Sequence, residues 1–135
     1  MYRLGLPNDQ SLPLVVVRVQ ELVLEDLGDY SNSMAPALAS CCRRLESLSV
    51  SPGSWVDAYG LAELIRCLRS LRHLAVRNSG TMALRHLQVL PRCLPHLQLL
   101  DVRGCFRGHG VPPQVLRRLQ RGLPALRVRS DPFRR

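Results

Sequence analysis

Leu97–Cys105 reads LQLLDVRGC, and this stretch decides the fold. The same pattern stands 26 residues earlier at Leu71–Ser79 (LRHLAVRNS), again at Leu45–Gly53 (LESLSVSPG), and again at Val19–Leu27 (VQELVLEDL). It returns once more at Leu123–Asp131 (LPALRVRSD). Three columns are apolar throughout. They are Val19, Leu45, Leu71, Leu97 and Leu123; then Leu22, Leu48, Leu74, Leu100 and Leu126; then Leu24, Val50, Val76, Val102 and Val128. Two more columns run between the motifs at the same period: Leu12, Leu38, Leu64, Leu90 and Leu116, and beside them Val15, Cys41, Cys67, Cys93 and Leu119. Only 46% of the chain is apolar, so unbroken columns mark an internal repeat rather than general oiliness.

The repeat has a direct physical reading. The second half of each motif alternates apolar with polar residues, as a strand with one buried face requires. The intervening leucines (Leu61, Leu64, Leu68; Leu84, Leu87, Leu90) have helical spacing. One strand–turn–helix–return unit cannot bury its own apolar face, whereas a stack of them can. The expected fold is therefore α/β: a solenoid with a parallel sheet of about five short strands inside and about four helices outside. Strands are expected near 20–25, 46–51, 72–77, 98–103 and 124–129, and helices near 33–43, 58–69, 82–90 and 113–121. Ser33, Asp57 and Thr81 suit N-caps. Pro112 or Pro113 suits a first turn, and Pro91 is expected to end the third helix. Residues 12–129 form the repeat domain. Residues 1–11 are a partial repeat or extension, and 130–135 a basic tail. Both ends cover their neighbouring units poorly, so marginal stability is expected.

Composition narrows the function classes. The chain has 135 residues and a net charge of +9, with no lysine among its 19 basic residues. No apolar run is long enough to cross a membrane. Leu12–Val17 is short and lacks a preceding basic stretch, so no secretion signal is read and an intracellular setting, cytoplasmic or nuclear, is expected. Five cysteines in such a chain point to free thiols. Aromatics are 4%, too few for a base-stacking platform. The arginines lie on both surfaces, which argues against a nucleic-acid groove.

The pattern resembles the cysteine-containing leucine-rich repeat of the F-box and leucine-rich-repeat proteins. Leu97-x-x-Leu100-x-Val102-x-x-Cys105 matches it most fully, and Cys42-Arg-Arg-Leu45 matches the return. The Cys105 column holds Leu27, Gly53 and Ser79 in earlier units, and the family's Ile-Thr-Asp before the helix is missing. The resemblance implies a ribonuclease-inhibitor-like horseshoe segment. It also implies a non-catalytic domain that holds substrates for a cullin-based (SCF) ubiquitin ligase. Leu12 already occupies a repeat column, so the expectation is a fragment or truncated form. It would meet a Skp adaptor and cullin only through an F-box upstream in the full-length protein. The alternative is a free-standing leucine-rich scaffold or inhibitor unrelated to ubiquitin.

No catalytic constellation is present. His73, His86, His96 and His109 flank no nucleophile motif, and there is no Cys-x-x-Cys pair. Neither a cofactor nor a metal is expected. Cys41, Cys67 and Cys93 read as core positions, Cys42 as a more exposed thiol, and Trp55 as a packing anchor. Gly104, Gly108 and Gly110 read as a long turn, not a phosphate cradle. What remains is the concave face. The residues expected to point away from the core there are Glu21, Glu25, Ser47, Ser49, His73, Arg77, Asp101, Arg103 and Arg127. They run from acidic through serine-rich to mostly basic. A rigid sheet carrying them is a candidate docking face for a protein partner.

Overall fold

The structure is a computed structural model, and it describes residues 2–4, 20–25, 38–40, 42–51, 58–80, 82–106 and 110–133. Ser33, Asp57, Thr81, Trp55, Cys41, Gly108 and His109, which carried expectations above, lie outside the described residues. The strands are β1 (Tyr2–Leu4), β2 (Glu21–Glu25), β3 (Ser47–Ser51), β4 (His73–Val76), β5 (Leu99–Asp101) and β6 (Arg127–Arg129). The helices are α1 (Ala58–Cys67), α2 (Leu84–Gln88), α3 (Leu90–Cys93) and α4 (Pro113–Gly122), and Leu38–Ser40 are also helical.

All six strands form one sheet, every pair parallel, in the order of the sequence. A parallel neighbour requires a crossover between strands, which the helical segments supply. The register follows the repeat through the centre: Leu22 pairs with Leu48, Leu48 with Leu74, and Leu74 with Leu100. These four side chains are buried. They join Leu61, Leu64 and Leu68 of the α1 segment and Leu87, Leu90 and Leu94 of the next crossover in one cluster. Burying a leucine fully contributes about 1.5–3 kcal/mol. An unbroken file of them therefore outweighs any local preference along these short strands.

The turns that end the strands also repeat. Asn78 (φ 55°) and Gly104 (φ 77°) stand at equivalent positions in the left-handed region, where asparagine and glycine are the tolerated residue types. The Asn78 N–H donates to the Arg103 carbonyl at 3.0 Å, and the Cys105 thiol reaches back to the Val76 carbonyl at 2.7 Å. Each bond ties one unit to the next. Ser79, one unit before Cys105, is likewise fully buried.

Four expectations are corrected. First, β1 adds a sixth strand, pairing Tyr2–Leu4 with Leu22–Leu24 at an edge where the sequence suggested only a partial repeat. Second, α2 begins after Thr81, with Ala83 as its N-cap, and the Ala83 N–H donates to His86 Nδ1 at 3.0 Å. Third, Pro91 does not end the third helix. The helix breaks at Val89, and Pro91 stands in the first turn of α3, where a missing N–H costs nothing. Pro113 has the expected role at the start of α4.

The fourth correction concerns the last unit. Leu99 pairs with Arg127, Leu100 with Val128 and Asp101 with Arg129, a slide of two residues from the repeat register. Leu126 is buried but does not stand opposite Leu100. Its N–H donates to the Leu123 carbonyl, as Leu97 does to Leu94 and Leu71 to Leu68. Leu126 therefore takes the place of Leu97, and Leu119 that of Leu90. The slack lies in the loop after β5. There Gly104 N–H donates to Asp131 Oδ2 at 2.8 Å and Gly110 N–H to the Pro132 carbonyl at 3.2 Å. A Cβ on Gly110 would meet the Asp131 carbonyl oxygen, so the segment after β6 lies tightly along this loop.

Candidate functional site

Alternation along the strands puts Leu22, Leu48, Leu74 and Leu100 on the helix-covered face and their neighbours on the open face. Pairing then arranges the open face in rows. One row runs Glu21, Ser47, His73, Leu99, Arg127. The next runs Val23, Ser49, Ala75, Asp101, Arg129. At roughly 4.8 Å per strand, each row spans roughly 19 Å.

Eight of the nine expected site residues lie in these rows or just past a strand end. Glu21, Ser47 and Ser49 are half-buried, and His73 and Arg127 are exposed. Arg77 is half-buried just past β4, and Arg103 is exposed just past β5. Asp101 differs from the expected exposed position, being only 5% exposed. Glu25 pairs with Ser51 in the backbone, and its side chain lies outside the described residues. The strand expected over 124–129 already holds Arg129, which the 26-residue period would set opposite Arg103. The two-residue slide sets it opposite Asp101 and sets Arg127 opposite Leu99. Only the register of the final loop carries that information.

Asp101 and Arg103 engage each other. Arg103 Nε donates to Oδ1 at 2.9 Å, Nη2 to Oδ2 at 2.7 Å, and the Arg103 backbone N–H to Oδ1 at 3.2 Å. Burial pushes the Asp101 carboxyl up. The opposing hydrogen bonds from Arg103, with the charges of Arg103 and Arg77, outweigh it and hold the carboxyl below its usual value. Asp101 is thus a fixed anion, and Arg103 is partly spent on it. Arg127 and Arg129 stay exposed on β6, and neither forms an ion pair among the described residues. Arg77 Nε is buried without a hydrogen-bond partner. From β2 to β6 the face therefore runs from Glu21 through Ser47, Ser49, His73 and Ala75 to Arg127 and Arg129, with Arg3 of β1 paired to Val23 beyond it.

Among the described thiols only Cys105 is buried. Cys42, Cys67, Cys93 and Cys105 form no disulfide among the described residues. Cys42 is half-buried, as are Cys67 and Cys93. Burial pushes the Cys105 thiol up. Burial, then the hydrogen bond to Glu63 and its charge, raise that of Cys67. Among the described residues no cluster of histidine, cysteine and carboxylate could hold a metal ion, and no helix is long and apolar enough to cross a membrane. No protein-family model and no curated protein matches the chain.

Proposed function

We propose that the chain is a leucine-rich-repeat solenoid segment of the ribonuclease-inhibitor type, and that it serves as a non-catalytic docking module for a protein partner. The carrying observation is the pair of rows on the open sheet face, which brings residues 26 apart in sequence onto neighbouring strands. Serine and alanine at the centre leave room for a partner's side chains. The arginines of β6 present planar donors for carboxylates, and Glu21 on β2 adds an acidic group four strands away. An extended segment laid across the strands would meet this polarity along its length. The Cys105 position and the leucine motif favour the substrate-holding domain of an F-box and leucine-rich-repeat protein. In that setting the ubiquitin chemistry belongs to the Skp–cullin partners.

The test is partner capture by the wild-type chain beside an Arg127→Glu/Ser49→Tyr variant whose circular dichroism matches wild type. Partners lost from the variant support docking on the open face. Identical partner sets reject it. A Skp adaptor and cullin recovered with the full-length protein assign it to ubiquitin transfer. A partner bound without them leaves the free-standing scaffold.

A further inference from the structure

The break at Val89 shapes the opposite side of the molecule. α3 packs against both α1 and α4, whereas α2 packs against α4 and not closely against α1. α1 and α2 therefore stand apart, and a groove of about 590 Å³ opens between them. Its floor and walls include Ala62 and Ile65 from α1, Val89 at the break and Cys93 from α3. Val89 is 41% exposed, among the few large apolar side chains so placed. Arg66 stands on the α1 side and Arg85 on the α2 side. Both are exposed. Arg66 pairs with Glu63 on its own helix, and Arg85 forms no ion pair among the described residues.

We propose that this groove is a second docking site, separate from the open sheet face, for an amphipathic helix with an apolar stripe flanked by acidic residues. The volume falls within the roughly 300–1,000 Å³ typical of ligand sites. The walls are helices whose backbone groups are already bonded internally. An extended peptide would find no ladder there, while a helix brings its own hydrogen bonds satisfied. An arginine on each side selects carboxylates on both flanks of the incoming stripe. A second copy of this chain is disfavoured, because at net +9 it would bring arginine to arginine.

The test uses the full chain and a fluorescent peptide of about 16 residues, read by anisotropy. The peptide carries leucines at helical spacing with glutamates on both flanks. One sister peptide has lysine for glutamate, and another has a central proline. The acidic helix is expected to bind at least about tenfold more tightly than either sister. Arg85→Glu, Arg66→Glu and Val89→Asp are each expected to weaken it by about tenfold or more, and Arg127→Glu on the open face to leave it unchanged. Equal binding of the three peptides overturns the proposal, as does wild-type affinity in the groove variants. An effect of Arg127→Glu as large as theirs also overturns it. Self-association abolished by Val89→Asp, without peptide binding, assigns the groove to a second copy and overturns it as well.

Discussion

Arg103 forks onto Asp101 through two side-chain bonds of 2.9 and 2.7 Å, so the one buried acid among the described residues is paired. Its folded-state pKa lies below the ordinary carboxylate value. The stability it contributes is therefore complete above the unfolded value of about 3.9 and is lost as pH falls through the lower folded value. Asp101→Asn is expected to flatten the acid limb of a urea-derived stability curve below about pH 4. An unchanged acid slope would contradict this role.

Leu99 and Leu100 are neighbours on opposite faces. Leu100 is fully buried and Leu99 half-buried. Leu100→Ala is expected to cost about 2–5 kcal/mol by denaturant titration, and Leu99→Ala clearly less. Equal costs would mean that the two faces have been misassigned.

Of the two left-handed turns, one tolerates change and the other does not. Gly104→Ala forces a Cβ onto Asn78 Oδ1 at a φ of +77°. It should destabilise by more than the roughly 1–2 kcal/mol of a left-handed penalty alone. Asn78→Gly, at the equivalent position, should fall within about 1 kcal/mol of wild type. Thermal melts of the two variants decide the matter, and a harmless Gly104→Ala would refute the turn geometry.

Alkylation followed by mass spectrometry should order the thiols. Cys105, buried and bonded to the Val76 carbonyl, is expected to react only on unfolding, well after Cys42 and Cys93. Modification of Cys105 at the rate of Cys93 in the folded protein would be incompatible with that burial.

The central register was legible in the chain because Leu22, Leu48, Leu74 and Leu100 combine strand alternation with a constant period. The last register was not, for a physical reason. A one-residue slip turns every side chain to the wrong face, but a slide of two keeps the same face inward. Leu123-x-x-Leu126-x-Val128 thus satisfies the apolar pattern whether Leu126 or Val128 faces Leu100. The helix break escaped notice because Leu84, Leu87 and Leu90 fit one continuous helix. Only the absent N–H of Pro91 argues for the restart at Leu90. Most of the open-face residues were legible from alternation alone. The burial of Asp101 was not, because it depends on Arg103 turning back two residues along the chain.

The stacking itself is best tested by nuclear Overhauser contacts in a methyl-labelled sample. Cross-peaks linking Leu22 to Leu48, Leu48 to Leu74, Leu74 to Leu100 and Leu100 to Val128 are predicted. Leu100 contacting Leu126 in place of Val128 would restore the strict repeat and remove the slide. Absence of the first three contacts would contradict the parallel stack, and with it both docking faces.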